Sequence, residues 1–248
     1  MKKCFLFLLL LTFLPLTSAL ASGETYTCGD FRYTLLEDGS ACLIAYIGVE
    51  TDVFIPAELD GHPITAVQGN PFCAMYDFSY HLKDCTVAVA EDHPYLEVVD
   101  GVLFGRTDHR LIWYPRVLGG EAYTVPEGTE IIGRHAFYAC KELTAVELPE
   151  SVTRIENHAF RACGALVEIA LPEGLTEIGE CAFMGCRVLE TLALPSGLES
   201  IGWKAFDTCP MLTLMVHPGL FAEAYCIQNG LEYIYTEIPN GENEQLLE

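Results

Sequence analysis

Positive charge is what this chain has least of. Thirteen lysines and arginines stand against 35 aspartates and glutamates in 248 residues, a formal net charge of −22. Such a balance repels nucleic acid and anionic lipid head groups, so neither is an expected partner. Long apolar runs are also scarce. The one present, Phe5–Leu16, is shorter than the roughly 20 residues a membrane-spanning helix needs, and no stable membrane insertion of the mature chain is expected. Motifs of chemistry are missing as well: the sequence has no GxSxG, HExxH, GxGxxG or GxxxxGKS/T, and no CxxC pair. Scattered carboxylates on an acidic chain do not make an acid/base pair. The expectation is a protein that is not an enzyme and carries no cofactor.

The apolar run has a different use. Lys2 and Lys3 precede it and Ala19-Leu20-Ala21 follows, the positive, apolar and small-residue regions of a signal peptide. Residues 1–21 are read as that leader, with Ser22 as the first mature residue. Its removal takes two lysines and no acid, leaving 11 basic against 35 acidic residues, or −24. Without an anchor at its C-terminus, the chain is expected to be secreted or held on the extracellular surface. A surface this acidic is solvated, and suits a cationic partner.

What the sequence does have is a repeat. IGRHAFYACKELTAVELPESVTR from Ile132, IENHAFRACGALVEIALPEGLTE from Ile155 and IGECAFMGCRVLETLALPSGLES from Ile178 align without a gap at a period of 23, and a looser fourth unit starts at Ile201. Leu143, Val146 and Leu148 recur as Leu166, Ile169, Leu171 and as Leu189, Leu192, Leu194, and alternation at the last two positions suits a short strand with one buried face. Pro149, Pro172, Pro195 and Pro218 end that strand by removing a donor. Phe137, Phe160, Phe183 and Phe206 should stack as a ladder, each costing ~3–5 kcal/mol if cut to Ala. Units of this kind bury together a face that none buries alone.

The phrase IGxxAFxxCxxLxxVxLPxxVxxI resembles the BspA-like, treponemal-type class of bacterial leucine-rich repeats, over Ile132–Ser200 and more loosely to Gly219. The resemblance implies an α/β-type leucine-rich repeat: a right-handed solenoid of short strands with 3₁₀ or helical turns and capped ends. It implies a non-catalytic secreted or surface protein of the adhesin type, binding an extracellular protein or polysaccharide, and no catalytic residues. Residues 22–66 are then read as an N-terminal cap hairpin and the start of a degenerate repeat, and 67–131 as degenerate repeats with a hairpin insertion. In the latter, VQGNPF (Val67–Phe72) is a worn IGxxAF, Leu82, Cys85 and Val87 take strand positions, and Asp100–Pro115 forms the hairpin. Residues 132–219 are regular repeats, 220–236 a cap of helix and strand, and 237–248 an acidic flexible tail.

At the front, Asp38-Gly39 reads as a two-residue hairpin turn, setting Leu35 opposite Cys42 and Cys28 away from it. Ten cysteines remain once the leader is gone. Cys140, Cys163, Cys186 and Cys209 recur once per repeat and read as a column of small buried thiols; Cys28, Cys42, Cys73, Cys85 and Cys226 are the better candidates for disulfides, with the pairing left open.

Candidate binding positions face outward from the strand ladder. At a strict 23-residue spacing they run Ala145, Glu168, Thr191, Leu214 and Glu147, Ala170, Ala193, Val216, passing from polar to apolar towards the C-terminus. Solenoids present such ladders as extended surfaces, with Leu214 and Val216 either exposed or covered by the terminal helix. Trp203 lies on another ridge, as an interface anchor or as local packing. One column, His135, His158 and Cys181, offers zinc-type ligands, though a linear column supplies only three and the residues also suit a variable, partly exposed position. Besides recognition, the alternatives are a structural, self-associating envelope component and a metal-binding protein using that column.

Overall fold

The computed structural model describes residues 24–73 and 85–236; the leader, Leu82 and the acidic tail lie outside them. The chain winds as a β-solenoid of about eight turns some 23 residues apart, with little helix. Short strands account for nearly all its regular structure, because each turn of the coil pairs with the turns before and after it rather than with itself.

Two columns of strands run along the repeats. In one, β11 (Ala122–Thr124), β13 (Ala145–Glu147) and β15 (Glu168–Ala170) form a parallel sheet, followed by a second sheet of β17 (Thr191–Ala193), β19 (Thr213–Val216) and β20 (Tyr233–Tyr235). In the other, β12 (Ile131–Ile132), β14 (Arg154–Ile155), β16 (Glu177–Ile178) and β18 (Ser200–Ile201) pair in parallel. Both columns turn one apolar side chain of each strand inward onto one core, and a second apolar cluster fills the N-terminal half.

The Asp100–Pro115 hairpin is present as β9 (Val102–Gly105) against β10 (Arg110–Trp113), and β8 (Leu96–Val99) adds a third antiparallel strand. It is no side decoration. β10 pairs in parallel with β12, so the hairpin's second strand is the first rung of the solenoid's longer sheet.

At the front, β1 (Tyr26–Cys28), β2 (Phe31–Leu35), β3 (Ala41–Tyr46), β6 (His62–Val67) and the short β5 (Glu58–Leu59) make a mixed sheet, and β4 (Asp52–Ile55) pairs with β7 (Thr86–Val89). Cys85 and Val87 are buried at that second pairing. The expected hairpin register is off by one. Leu35 faces Ala41, and Cys42 faces Thr34. The loop is longer than two residues: Ser40 donates its N–H and its hydroxyl to the Asp38 carboxylate, drawing Ser40 into the turn.

Aromatic rings form the spine of the core. Phe137, Phe160, Phe183 and Phe206 stack nearly parallel, with centroids 4.9, 5.2 and 5.8 Å apart. Tyr114 continues the stack below Phe137 at 5.4 Å, and Tyr225 closes it edge-on above Phe206. Phe72 lies against Trp113 at 4.0 Å, and Asn70 N–H donates to Arg134 O. The worn VQGNPF segment thus stacks directly on the turn at residues 134–137, where a preceding repeat would lie. Tyr225 belongs to α1 (Phe221–Asn229), which Gly230 ends in the left-handed conformation at φ 64°, a geometry glycine adopts without steric cost.

Candidate functional site

The outer face of the first strand column is built by parity. In β13, β15 and β17 the central residues Val146, Ile169 and Leu192 point inward, so Glu147, Glu168, Ala170, Thr191 and Ala193 stand outside and exposed. Up to β15 successive strands pair 23 residues apart. Between β17 and β19 the step is 22: Thr191 faces Thr213, Leu192 faces Leu214 and Ala193 faces Met215.

That one-residue slip reverses the assignment of the last repeat, since side chains alternate faces along a strand. Leu214 and Val216, expected outside, are buried at 1% and 0% exposure and pack in the core. They are not under the helix on an outer surface; they are the inward residues of β19. The physical cause is the choice between two parities. Leu214 with Val216 fills the core, whereas the strict period would bury Met215 and His217. Met215 takes the outer position instead, and the parallel partner of Met215 on β20 is Ile234, 50% exposed. The outer column therefore reads Thr124, Glu147, Ala170, Ala193, Met215, Ile234. Met215 and Ile234 were the residues missed, and the signal was available: Leu-x-Val suits a buried face better than Met-x-His.

The His135, His158 and Cys181 column forms, but as packing. All three, with Lys204, adopt positive φ between 52° and 62°, a left-handed conformation in the turn before each Ala-Phe pair. A second left-handed residue follows four positions later: Ala139, Ala162, Gly185, Thr208. Alternate N–H groups of this turn donate to the next coil, as from His135 to Asn157 O, Phe137 to Ala159 O and Ala139 to Arg161 O, so the strained turn is held by its neighbours. At Gly179 an added Cβ would lie 2.5 Å from Asn157 N, which is why that position takes glycine.

The imidazoles of His135 and His158, 4% and 8% exposed, lie face to face at 4.8 Å and 11°. His135 Nε2 and His158 Nδ1 are buried with no hydrogen-bond partner. Burial pushes the His135 pKa down to about 3 and lowers that of His158, so both rings are neutral. Cys181 turns its thiol to Trp203 O at 3.8 Å. Stacked faces do not converge their nitrogens on one point. Among the described residues no group of three or more His, Cys, Asp or Glu could hold a metal ion, and the expected zinc-type ligand set is not assembled.

The cysteine column shows what a thiol does at that position. Cys163, Cys186 and Cys209 donate their S–H to the carbonyls of Phe137, Phe160 and Phe183, at 3.0, 3.3 and 3.1 Å. Each thiol thus bonds to the preceding coil, and no disulfide joins the column. Burial raises the pKa of Cys140 to about 12 and that of Cys163 well above the ordinary value.

Trp203 is 66% exposed, with Lys204 Nζ 4.5 Å from its ring centroid and 3.3 Å from Asp207. It stands on the turn ridge, away from the strand ladder. Among the described residues no helix is long and apolar enough to cross a membrane.

Residues 120–229 match, in six copies, the family described as BspA type leucine rich repeat region. Comparison with curated proteins finds no match. Among solved structures the chain is similar to a leucine rich cell surface protein from Faecalibacterium prausnitzii A2-165, with 18% identity and a TM-score of 0.52, over 88% of this chain and 96% of that one. It is similar also to a leucine-rich repeat protein from Eubacterium ventriosum, with 20% identity and a TM-score of 0.53, over 77% of this chain and 50% of the other.

Proposed function

We propose that this chain, whose residues 120–229 form a BspA-type leucine-rich repeat region, is an exported, non-catalytic recognition protein of the bacterial cell surface or its surroundings. In this reading residues 1–21 are cleaved, and the outer strand ladder binds an extracellular protein or polysaccharide. The observation that carries it is the outer column from Glu147 through Ala170 and Ala193 to Met215 and Ile234, which passes from charged to apolar along a rigid face. Apolar side chains left on an outer face in this way mark a surface suited to contact with a partner. A structure of similar fold is described as a cell surface protein, which agrees with this location.

The test is to immobilise the purified protein and measure binding to a panel of extracellular-matrix proteins and glycans. Saturable binding to at least one is expected, and N-terminal sequencing of the exported form should begin at Ser22. A second reading, self-association in the envelope, is favoured by apolar residues exposed at the C-terminal end: Ile227, Ile234 and Tyr235 are each at least half exposed. Concentration-dependent oligomers in sedimentation, with no binding across the panel, would favour that reading over the first.

A further inference from the structure

The repeat stops unfinished at its C-terminal end. In each regular turn three alternate N–H groups donate to the following coil, as His158, Phe160 and Ala162 do to the carbonyls of Glu180, Ala182 and Met184. After β19 that pattern is replaced: α1 comes next, and the chain then returns as β20. The equivalent N–H groups of Lys204, Phe206 and Thr208 have no acceptor among the described residues.

β20 is the last strand of its sheet, and among the described residues no strand pairs with its outer edge. Leu214 N–H donates to Glu232 O, and Thr236 N–H donates to Val216 O. By alternation along the strand, Ile234 turns its N–H and C=O towards β19, while those of Tyr233 and Tyr235 face away. An open row of backbone donors and acceptors is a template for a further strand. Tyr-Ile-Tyr carries neither the lysine nor the proline that commonly blunts such an edge, and the side chains of Ile234 and Tyr235 are half exposed beside it.

Charge selects what can add there. Residues 205–248 hold seven acids and no lysine or arginine. Glu232, at the foot of β20, is exposed and makes no ion pair among the described residues. A second copy would set the same acids edge to edge. Nor can it continue the repeat, because Asn70 and Tyr114 already donate their N–H groups to Arg134 O and Ala136 O at the front of the first regular coil. We propose that the outer edge of β20 takes a strand from another protein, an extended segment that alternates basic and apolar residues. Backbone bonds to Tyr233 and Tyr235 supply the pairing, as in other cases of strand addition, and the basic side chains answer the unpaired acids. The inference rests on the recognition reading and adds to it the chemistry of the partner.

The purified protein is titrated, by fluorescence anisotropy, with three labelled heptapeptides: one alternating lysine and valine, the same peptide N-methylated throughout, and one with glutamate for lysine. The first should bind at least tenfold tighter than either of the others. Tyr235→Pro removes an outward N–H without touching the bonds of Ile234, and should cost at least that tenfold with the circular dichroism unchanged. Tyr235→Phe, which loses only the hydroxyl's bond to Glu223, should bind as the unmodified protein does. If Tyr235→Pro does not fold, Glu232→Lys takes its place and should weaken the lysine peptide by the same factor. Tyr235→Pro keeps the Met215 and Ile234 side chains, so capture of a matrix protein or glycan by the outer face would survive it, and the two readings fail separately. Equal binding of the N-methylated or the glutamate peptide, no binding at all, or full affinity in a folded edge variant would each overturn the proposal. So would a dimer in sedimentation that Tyr235→Pro dissolves, since a second copy would then hold the edge.

Discussion

Leu192 pairs with Leu214, 22 residues further on, whereas Val146 pairs with Ile169 at the full period of 23. One residue is dropped between the Cys209 position and the last repeat's strand, and everything on that strand changes face. The outer surface of the C-terminal repeats therefore consists of Met215 and Ile234, with Leu214 and Val216 in the core.

This register makes two adjacent substitutions behave oppositely. Leu214→Glu buries a charge where a leucine packed and should cost upwards of ~3 kcal/mol. Met215→Glu, one residue on, should change stability by less than ~1 kcal/mol. Urea unfolding of both variants measures this. If Met215→Glu proves the more damaging, the last repeat keeps the strict period.

Acid should loosen the turn ridge. The folded-state pKa values of His93, about 4, and His135, about 3, lie below the ordinary 6.5, and that of His158 is lowered too, in each case chiefly by burial. As pH falls below ~6.5 the unfolded chain takes up protons that the folded one refuses, so stability is full above that value and declines towards the folded pKa values. The slope is about 1.4 kcal/mol per pH unit for each histidine once the unfolded form is protonated. His93 has a visible reason: its Nδ1 accepts N–H bonds from Tyr95 and Leu96, which protonation would break. Urea midpoints between pH 7 and 5 should fall, and fall less steeply in His135→Asn/His158→Asn, asparagine being tolerant of the left-handed backbone. An identical slope in that variant would remove the histidine stack from the explanation.

The cysteine column should be inert. Iodoacetamide at pH 8 should modify the partly exposed Cys28 first, and should reach Cys163 and Cys186 only in urea, since both are buried thiols with raised pKa values. Peptide mass spectrometry reads the order. Alkylation of Cys163 at the same rate with and without urea would contradict the buried, hydrogen-bonded thiol.

Much of the architecture was legible because a repeat writes the same constraint several times. Phe137, Phe160, Phe183 and Phe206 share a position whose only sensible use is a stacked core, and the cysteines three residues later share their fate. The slip at Leu214 was hidden by Pro218, which keeps the 23-residue phase in sequence after the strand has lost it. Packing decides there, and packing follows the alternation of apolar residues rather than the spacing of prolines. Phe72 against Trp113 and Asn70 on Arg134 join segments 41 and 64 residues apart, contacts that no local pattern announces. The metal reading of His135, His158 and Cys181 rested on column membership alone. In a stacked coil equivalent side chains lie parallel, and parallel rings cannot converge on an ion.

The measurement that bears most directly on the recognition role is the affinity of Met215→Glu/Ile234→Glu for whichever matrix protein or glycan the unmodified protein binds. The outer-ladder account predicts at least a tenfold loss, with thermal unfolding close to that of the unmodified protein. Full affinity in the folded double variant would contradict it and move the binding site off the strand ladder.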